Sequence, residues 1–142
     1  MQATSAARPA TGFHLYQGVL IAFAAALFIG GLLCDIAYAR SYQIQWVNFA
    51  AWLIAGATLF TGLALAWSLV DVVLGPARRG RRLIGVLLLL GAFILALINS
   101  FTHAQDAWGS MPAGLIQSVF LVVASVIATW ISISTPRTGT TT

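Results

Sequence analysis

Charge is scarce in this 142-residue chain. Only 7% of its residues are charged, where a soluble domain carries about 25%. Lysine and glutamate are absent, which leaves seven arginines and three aspartates. Such a composition cannot clothe a globular surface in polar groups, so a water-soluble domain is excluded. Cysteine is limited to Cys34, which excludes an internal disulfide, a CxxC redox pair and a CxxCH haem attachment. Cys34 lies near the end of an apolar run and reads as a small packing residue. The two histidines, His14 and His103, fall at opposite ends of apolar segments and cannot ligate one haem within a single chain. No aspartate falls at the centre of an apolar segment, which argues against a small multidrug-type proton exchanger. Phosphate-binding loops and a nucleophile elbow are likewise missing.

What the chain has is hydrophobicity, at 60% of all residues. Four apolar segments run from about Leu15 to Tyr38, Val47 to Leu74, Leu83 to Thr102 and Ala113 to Ser134. Each is near or above the roughly 20 residues that a helix needs to cross the hydrocarbon core. The second is longer, and Gly75-Pro76 ends it, since proline cannot continue a helix. Leu87 to Leu97 shows no alternation of apolar and polar residues, which excludes a barrel strand. The expectation is an all-α, integral membrane four-helix bundle at residues 13–134, flanked by flexible tails at 1–12 and 135–142. A rival reading of the first segment is a signal peptide cleaved at Ala37-Tyr38-Ala39, but its apolar run exceeds the usual span of about 7–15 residues.

Four of the seven arginines, Arg78, Arg79, Arg81 and Arg82, sit in one tract between the second and third segments. The net charge of +4 would suggest nucleic acid in a soluble protein. A tract between two membrane spans is instead an orientation signal, so no nucleic-acid partner is expected. It places that loop, and with it both termini, in the cytoplasm. Arg8 and Arg137 agree, and only Arg40 falls on the outer side. Tyr16, Trp67 and Trp130 form an inner aromatic belt, and Tyr38, Tyr42, Trp46 and Trp108 an outer one. Asp71 lies close to the arginine tract and is expected to pair with it.

Lipid tails are as apolar as leucine, so helices associate in a bilayer through close backbone approach at small residues. Gly18, Ala22, Ala26 and Gly30 recur every four residues and are expected to form a packing stripe on the first helix. Thr58, Gly62 and Ala66 recur similarly on the second, Ala92, Ala96 and Ser100 on the third, and Ala124, Ala128 and Ser132 on the fourth. Whether a stripe meets a sister helix or a second copy of the chain is open, and a homo-oligomer is compatible with it.

The outer ends of the helices carry the polar residues. Asn99, His103 and Asp106 are spaced i, i+4, i+7 and fall on one helical face. Asp35 and Tyr38 end the first helix at the same depth, and Asn48 begins the second there. These six residues are expected to form a polar cluster at the periplasmic mouth. It would be either a ligand, proton or partner site, or a hydrogen-bonded network that closes the helix ends.

Four stretches carry a family resemblance: LLCDIAY from Leu32, QWVNFAAWLIAG from Gln45, SLVDV from Ser68 and INSFTHAQDAW from Ile98. They resemble the bacterial four-helix membrane proteins classed as domain of unknown function 2231, over about Phe13 to Ser134. The Asn-Ser-Phe-x-His-x-x-Asp stretch is the most specific. Many members open the first helix with a His-Pro-x-x-x-His-Phe-Pro type signature. Only His14 stands there in this chain, so no inner-side role is carried over. The resemblance implies a bacterial inner-membrane protein, and members of this subtype look like neighbours of periplasmic sugar-aldehyde dehydrogenases.

Three functions are therefore weighed. The first is a non-catalytic anchor or accessory subunit of a periplasmic oxidoreductase, which needs no mid-membrane polar group. The second is a redox module holding haem or quinone, which needs His103 as an available ligand. The third is an oligomeric channel or transporter subunit, which needs a polar path where the helix centres offer Thr58 and Thr61. No metal site and no catalytic residue are read, and no cofactor is required. Reporter fusions test the topology. Those at Gly80 and Thr142 should report cytoplasm and those at Arg40 and Gly109 periplasm, and a periplasmic signal at Gly80 would overturn the orientation.

Overall fold

A computed structural model of the protein describes residues 11–74, 79–105 and 107–134, with side chains described at 16–74, 83–105 and 109–130. Among the described residues the chain is helical, with no strand. Helix α1 spans Thr11–Ser41, α2 Ile44–Leu74, α3 Arg79–His103, the single turn α4 Ala107–Ser110, and α5 Ala113–Ser134. The stretches Tyr16–Ser41, Ile44–Leu74, Leu83–His103 and Ala113–Trp130 are long and apolar enough to cross a membrane. The tails expected at 1–12 and 135–142 lie outside the described residues, apart from Thr11 and Gly12.

Helices α1 and α3 start earlier and end later than their apolar runs predict, α2 starts earlier and ends at Leu74 as expected, and α5 matches the expected Ala113 to Ser134. The 31 residues of α1 reach about 46 Å at 1.5 Å per residue, against a hydrocarbon core of about 30 Å. The helix is therefore longer than the apolar slab is thick. The link expected between Tyr38 and Val47 shrinks to Tyr42 and Gln43. There Tyr42 adopts a left-handed φ of 56°, and its N–H donates to the Tyr38 carbonyl at 2.8 Å. A left-handed residue at a helix end satisfies a terminal carbonyl and reverses the chain. Ser41 helps by donating its hydroxyl to the Ala37 carbonyl at 2.7 Å. Arg79, Arg81 and Arg82 fall in the first turn of α3, whereas Arg78 lies outside the described residues.

Neighbouring helices run antiparallel, as their paired residues show. Along α1 and α2, Gln17 meets Ser68, Phe23 stacks on Phe60, Leu27 lies against Gly56, and Gly31 against Ile54. Along α2 and α3, Gly62 lies against Phe93 and Thr58 meets Ser100. Helix α1 packs beside α2 and α5, α2 beside α3, and α3 more lightly beside α5. The four long helices thus close a ring in which α1 and α3 are diagonal. Tyr16 and Trp67, assigned from sequence to one aromatic belt, are in contact with ring centroids 6.1 Å apart.

The buried faces follow a heptad rhythm. On α2 they follow Val47, Ala50, Ile54, Ala57, Thr61, Ala64 and Ser68, with Thr58 and Leu65 buried beside that row. On α1 they include Ala24, Phe28, Asp35 and Tyr38, with Gly31 between them. Alternating steps of three and four keep a seam on one side of the helix, the geometry of left-handed bundles. The stripe expected at Gly18, Ala22, Ala26 and Gly30 does not follow that seam. Ala26 is exposed, Gly18, Ala22 and Gly30 are half-buried, and Gly30 faces Leu53. Strict steps of four drift by about 40° each on a helix of 3.6 residues per turn, so the row winds off the interface. Ala66 drifts outward for the same reason and Ala124 is exposed, whereas Ala96 stays fully buried.

The core cluster is built from Ala24, Phe28, Ala50, Ile54, Ala57, Ala96 and Leu121. Large apolar side chains point outward, among them Trp52, Leu88, Phe101 and Trp130. Polar side chains point inward, including Asp35, Thr58, Thr61, Asn99, His103 and Ser118. This inversion is what lipid as a solvent demands. A β-carbon added at Gly31 would stand 3.0 Å from Ile54 Cγ1. Gly31→Val should therefore lower stability by about 1–3 kcal/mol through overpacking. Ala26→Leu should leave it unchanged. Thermal unfolding in detergent checks both, and an equal loss for the two variants would contradict the seam.

Candidate functional site

Three helices bring their polar residues together near one end of the bundle, opposite the arginine tract. Asp35 sits six residues before the end of α1, about 9 Å inside it at 1.5 Å per residue. It is fully buried. His103 is the last residue of α3, where the chain tightens: Ala104 N–H donates to Ser100 O at 3.0 Å and to Phe101 O at 3.2 Å. Ser118 lies in the second turn of α5 and is 1% exposed. Asn99 stands one turn before His103 on the same face of α3.

Every bond of the network except that between His103 and Asp35 can be assigned a direction. His103 Nδ1 lies 3.0 Å from the Asn99 backbone carbonyl. A carbonyl only accepts, so Nδ1 carries a proton. The other ring nitrogen, Nε2, lies 2.8 Å from Asp35 Oδ1. The second carboxyl oxygen, Oδ2, accepts the Ser118 hydroxyl at 2.6 Å. That hydroxyl has spent its proton, so its oxygen accepts from Asn99 Nδ2 at 3.1 Å. The orientation of the Asn99 amide follows, and it leaves Asn99 Oδ1 buried without a partner. A hydrogen-bond donor, such as a water molecule or a ligand hydroxyl, is the group that would satisfy it.

Asp35 thus joins α1 to α5 through Ser118 and, across the bundle diagonal, to α3 through His103. The imidazole is also held from one side by backbone. Gly114 of α5 is buried, and a β-carbon there would stand 2.7 Å from His103 Cε1, 3.2 Å from Nε2 and 3.3 Å from Nδ1. Only glycine admits the ring at that distance.

The chemistry of the arrangement is narrow. Ser, His and Asp are all present, but the serine hydroxyl bonds the carboxylate and not the imidazole. The order needed for nucleophile activation is therefore absent. Both nitrogens of His103 are engaged, so it offers no lone pair to a haem iron. Among the described residues no group of His, Cys, Asp or Glu could hold a metal ion.

Of the six residues expected in this cluster, Asp35, Asn99 and His103 converge. Tyr38 is buried one turn beyond Asp35, and its ring lies 6.3 Å from that of Tyr42. Asn48 does not join. It is exposed, because it follows buried Val47 and is turned about 100° from the α2 seam. Asp106 lies outside the described residues. Ser118 was missed by sequence reasoning. Its signal was its depth, five residues into α5 and one turn from Gly114, the same depth at which Asp35 lies in α1.

A family described as predicted membrane proteins (DUF2231) has a model that matches residues 18–133. The match includes Asp35, Asn99, His103 and Ser118. No curated protein and no solved structure matches the chain.

Gly114→Ala should displace the anchored His103 ring and lower stability by about 1–3 kcal/mol. A β-carbon at Gly91 would meet nothing within 4 Å, so Gly91→Ala should be neutral or slightly stabilising. Thermal unfolding of the two variants in detergent checks the contrast, and an unaffected Gly114→Ala would mean that the ring is not held there.

Proposed function

The chain belongs to the DUF2231 family of predicted membrane proteins, and we propose that it acts as a non-catalytic anchor or accessory subunit in a bacterial inner membrane. In this reading both termini face the cytoplasm, and the Asp35–His103 end faces the periplasm, where the client is an oxidoreductase. The arginine tract supports that orientation.

The observation that carries the reading is the engagement of His103 at both ring nitrogens. A haem-ligating role would first have to break the bonds to Asn99 and Asp35. A conducting role finds little support, because the hydroxyls in the middle of α2 bond their own helix. Thr61 donates to Ala57 O at 2.8 Å and Thr58 to Ile54 O at 2.8 Å. The next buried hydroxyl on α2, Ser68, stands about 10 Å further along the axis at 1.5 Å per residue. What remains is a bundle whose polar groups serve one another while its outside serves lipid. Such a bundle suits a scaffold.

The expected topology supports a periplasmic client, and the resemblance to proteins that look like neighbours of sugar-aldehyde dehydrogenases supports an oxidoreductase. Purification from native membrane in mild detergent tests both parts. The expected result is a periplasmic dehydrogenase retained in stoichiometric amount and no haem absorption band. Haem absorbance that disappears in His103→Ala would replace the anchor reading with a redox one.

A further inference from the structure

We propose that Asp35 and His103 form a buried site that holds one proton, and that this proton fastens α1 to α3. The proposal stands apart from the identity of any client. It follows from counting donors. Nδ1 must be protonated because it faces a carbonyl at 3.0 Å. Nε2 and Asp35 Oδ1, 2.8 Å apart, then need one further proton between them, or two lone pairs would face each other. The proton resides on Nε2, giving imidazolium and carboxylate, or on Oδ1, giving imidazole and carboxylic acid. It belongs to the pair in either state.

Charge gives the same count. With one shared proton the pair is neutral overall in both microstates. Removing it leaves a net negative charge between fully buried side chains. Adding another leaves a net positive charge and forces a second proton onto a carboxyl oxygen that already accepts from Ser118. Uncompensated charge is disfavoured in a bundle surrounded by lipid, so the single-proton state is selected.

Few other titratable groups lie among the described residues of the elements packed around the pair. Among the described residues, the half of α2 packed near the site, from Ile44 to Phe60, has none, nor do α4 and α5. Helix α1 contributes Cys34, Tyr38 and Arg40, of which Arg40 is exposed. Helix α3 contributes His103 itself. The pair bridges helices that lie diagonally in the ring, so loss of the proton removes a direct polar link between α1 and α3. The sign follows: the fastening is present while the proton is bound and is lost as pH rises.

Two measurements test this. In ¹⁵N-histidine and ¹³C-aspartate labelled protein, with His14→Gln removing the other histidine, magnetic resonance should find two protons on the pair at about pH 7: one on Nδ1 and one on either Nε2 or the Asp35 carboxyl. A ring with a single proton beside an ionised Asp35 would overturn the proposal. The second measurement uses Asp35→Asn. Its amide N–H can donate to an unprotonated Nε2 and its amide oxygen can accept from Ser118, so the network survives without a shared proton. Between about pH 7 and pH 10 the wild type should lose thermal stability in detergent, while Asp35→Asn changes by less than half as much. Parallel losses in the two proteins would refute the fastening. Should Asp35→Asn fail to fold, the proton count in the wild-type pair decides alone.

Discussion

The structure depends on where the Asp35 carboxyl group is placed. An isolated carboxylate inside a lipid-embedded bundle is disfavoured by several kcal/mol. It persists only if donors and counter-charge arrive from outside its own helix. They do: Ser118 comes from α5 and His103 from α3. One side chain of α1 therefore dictates the relative depth of three helices. Its demands propagate further. His103 must keep its ring in one plane, so Asn99 O accepts from Nδ1 and Gly114 gives up its side chain. Removing one partner alone would leave a buried polar group unmatched, which is more harmful than never having made the network.

Around this network the bundle is held by modest contacts. Interhelical hydrogen bonds in membranes are worth about 0.6 kcal/mol on average, and those here follow that economy. Thr58 meets Ser100 at 2.9 Å while donating to its own helix, and Ser68 meets Gln17 at 2.7 Å while donating to Ala64 O. Dispersion at the small-residue seam supplies much of the remainder. Ala50, Ile54 and Ala57 present no exposed surface, and Gly31 and Gly62 allow Ile54 and Phe93 to approach the opposing backbone. Tight backbone approach and inward polar groups are complementary, because small residues bring the hydroxyls of one helix within reach of the next.

The spans were legible in the sequence because apolar length alone separates a crossing helix from the alternatives. The convergence of Asp35, Asn99 and His103 was legible because one turn separates the last two and membrane depth aligns the first. The seam was not. Alanine is so frequent here that rows of small residues can be drawn at a spacing of four, and only contact with real neighbours shows that the interface follows alternating three and four. Asn48 was misplaced for a related reason. Depth alone placed it beside Asp35, and one residue of rotation separates it from the seam at Val47. Ser118 was silent because serine is a common small residue of membrane helices. Its role appears only once a carboxylate is found opposite its hydroxyl.

The two described ends of the α1–α2 pair differ in a way that bears on how the protein could respond to its surroundings. At one end Gln17 and Ser68 form a neutral amide–hydroxyl bond, which has no protonation equilibrium in the accessible range. At the other, Asp35 is matched to an imidazole whose hydrogen bond requires a proton. The stretch between them carries apolar residues and hydroxyls bonded to their own helix. On the proposal above, a change in proton activity acts directly on the Asp35–His103 pair and not on the Gln17–Ser68 bond. The seam supplies the stiffness that makes this local. Close-packed Ala50, Ile54 and Ala57 can neither admit a charge nor rearrange without opening a void. The proton therefore bears most directly on the elements that hold the pair, the last two turns of α1, the end of α3 and the start of α5.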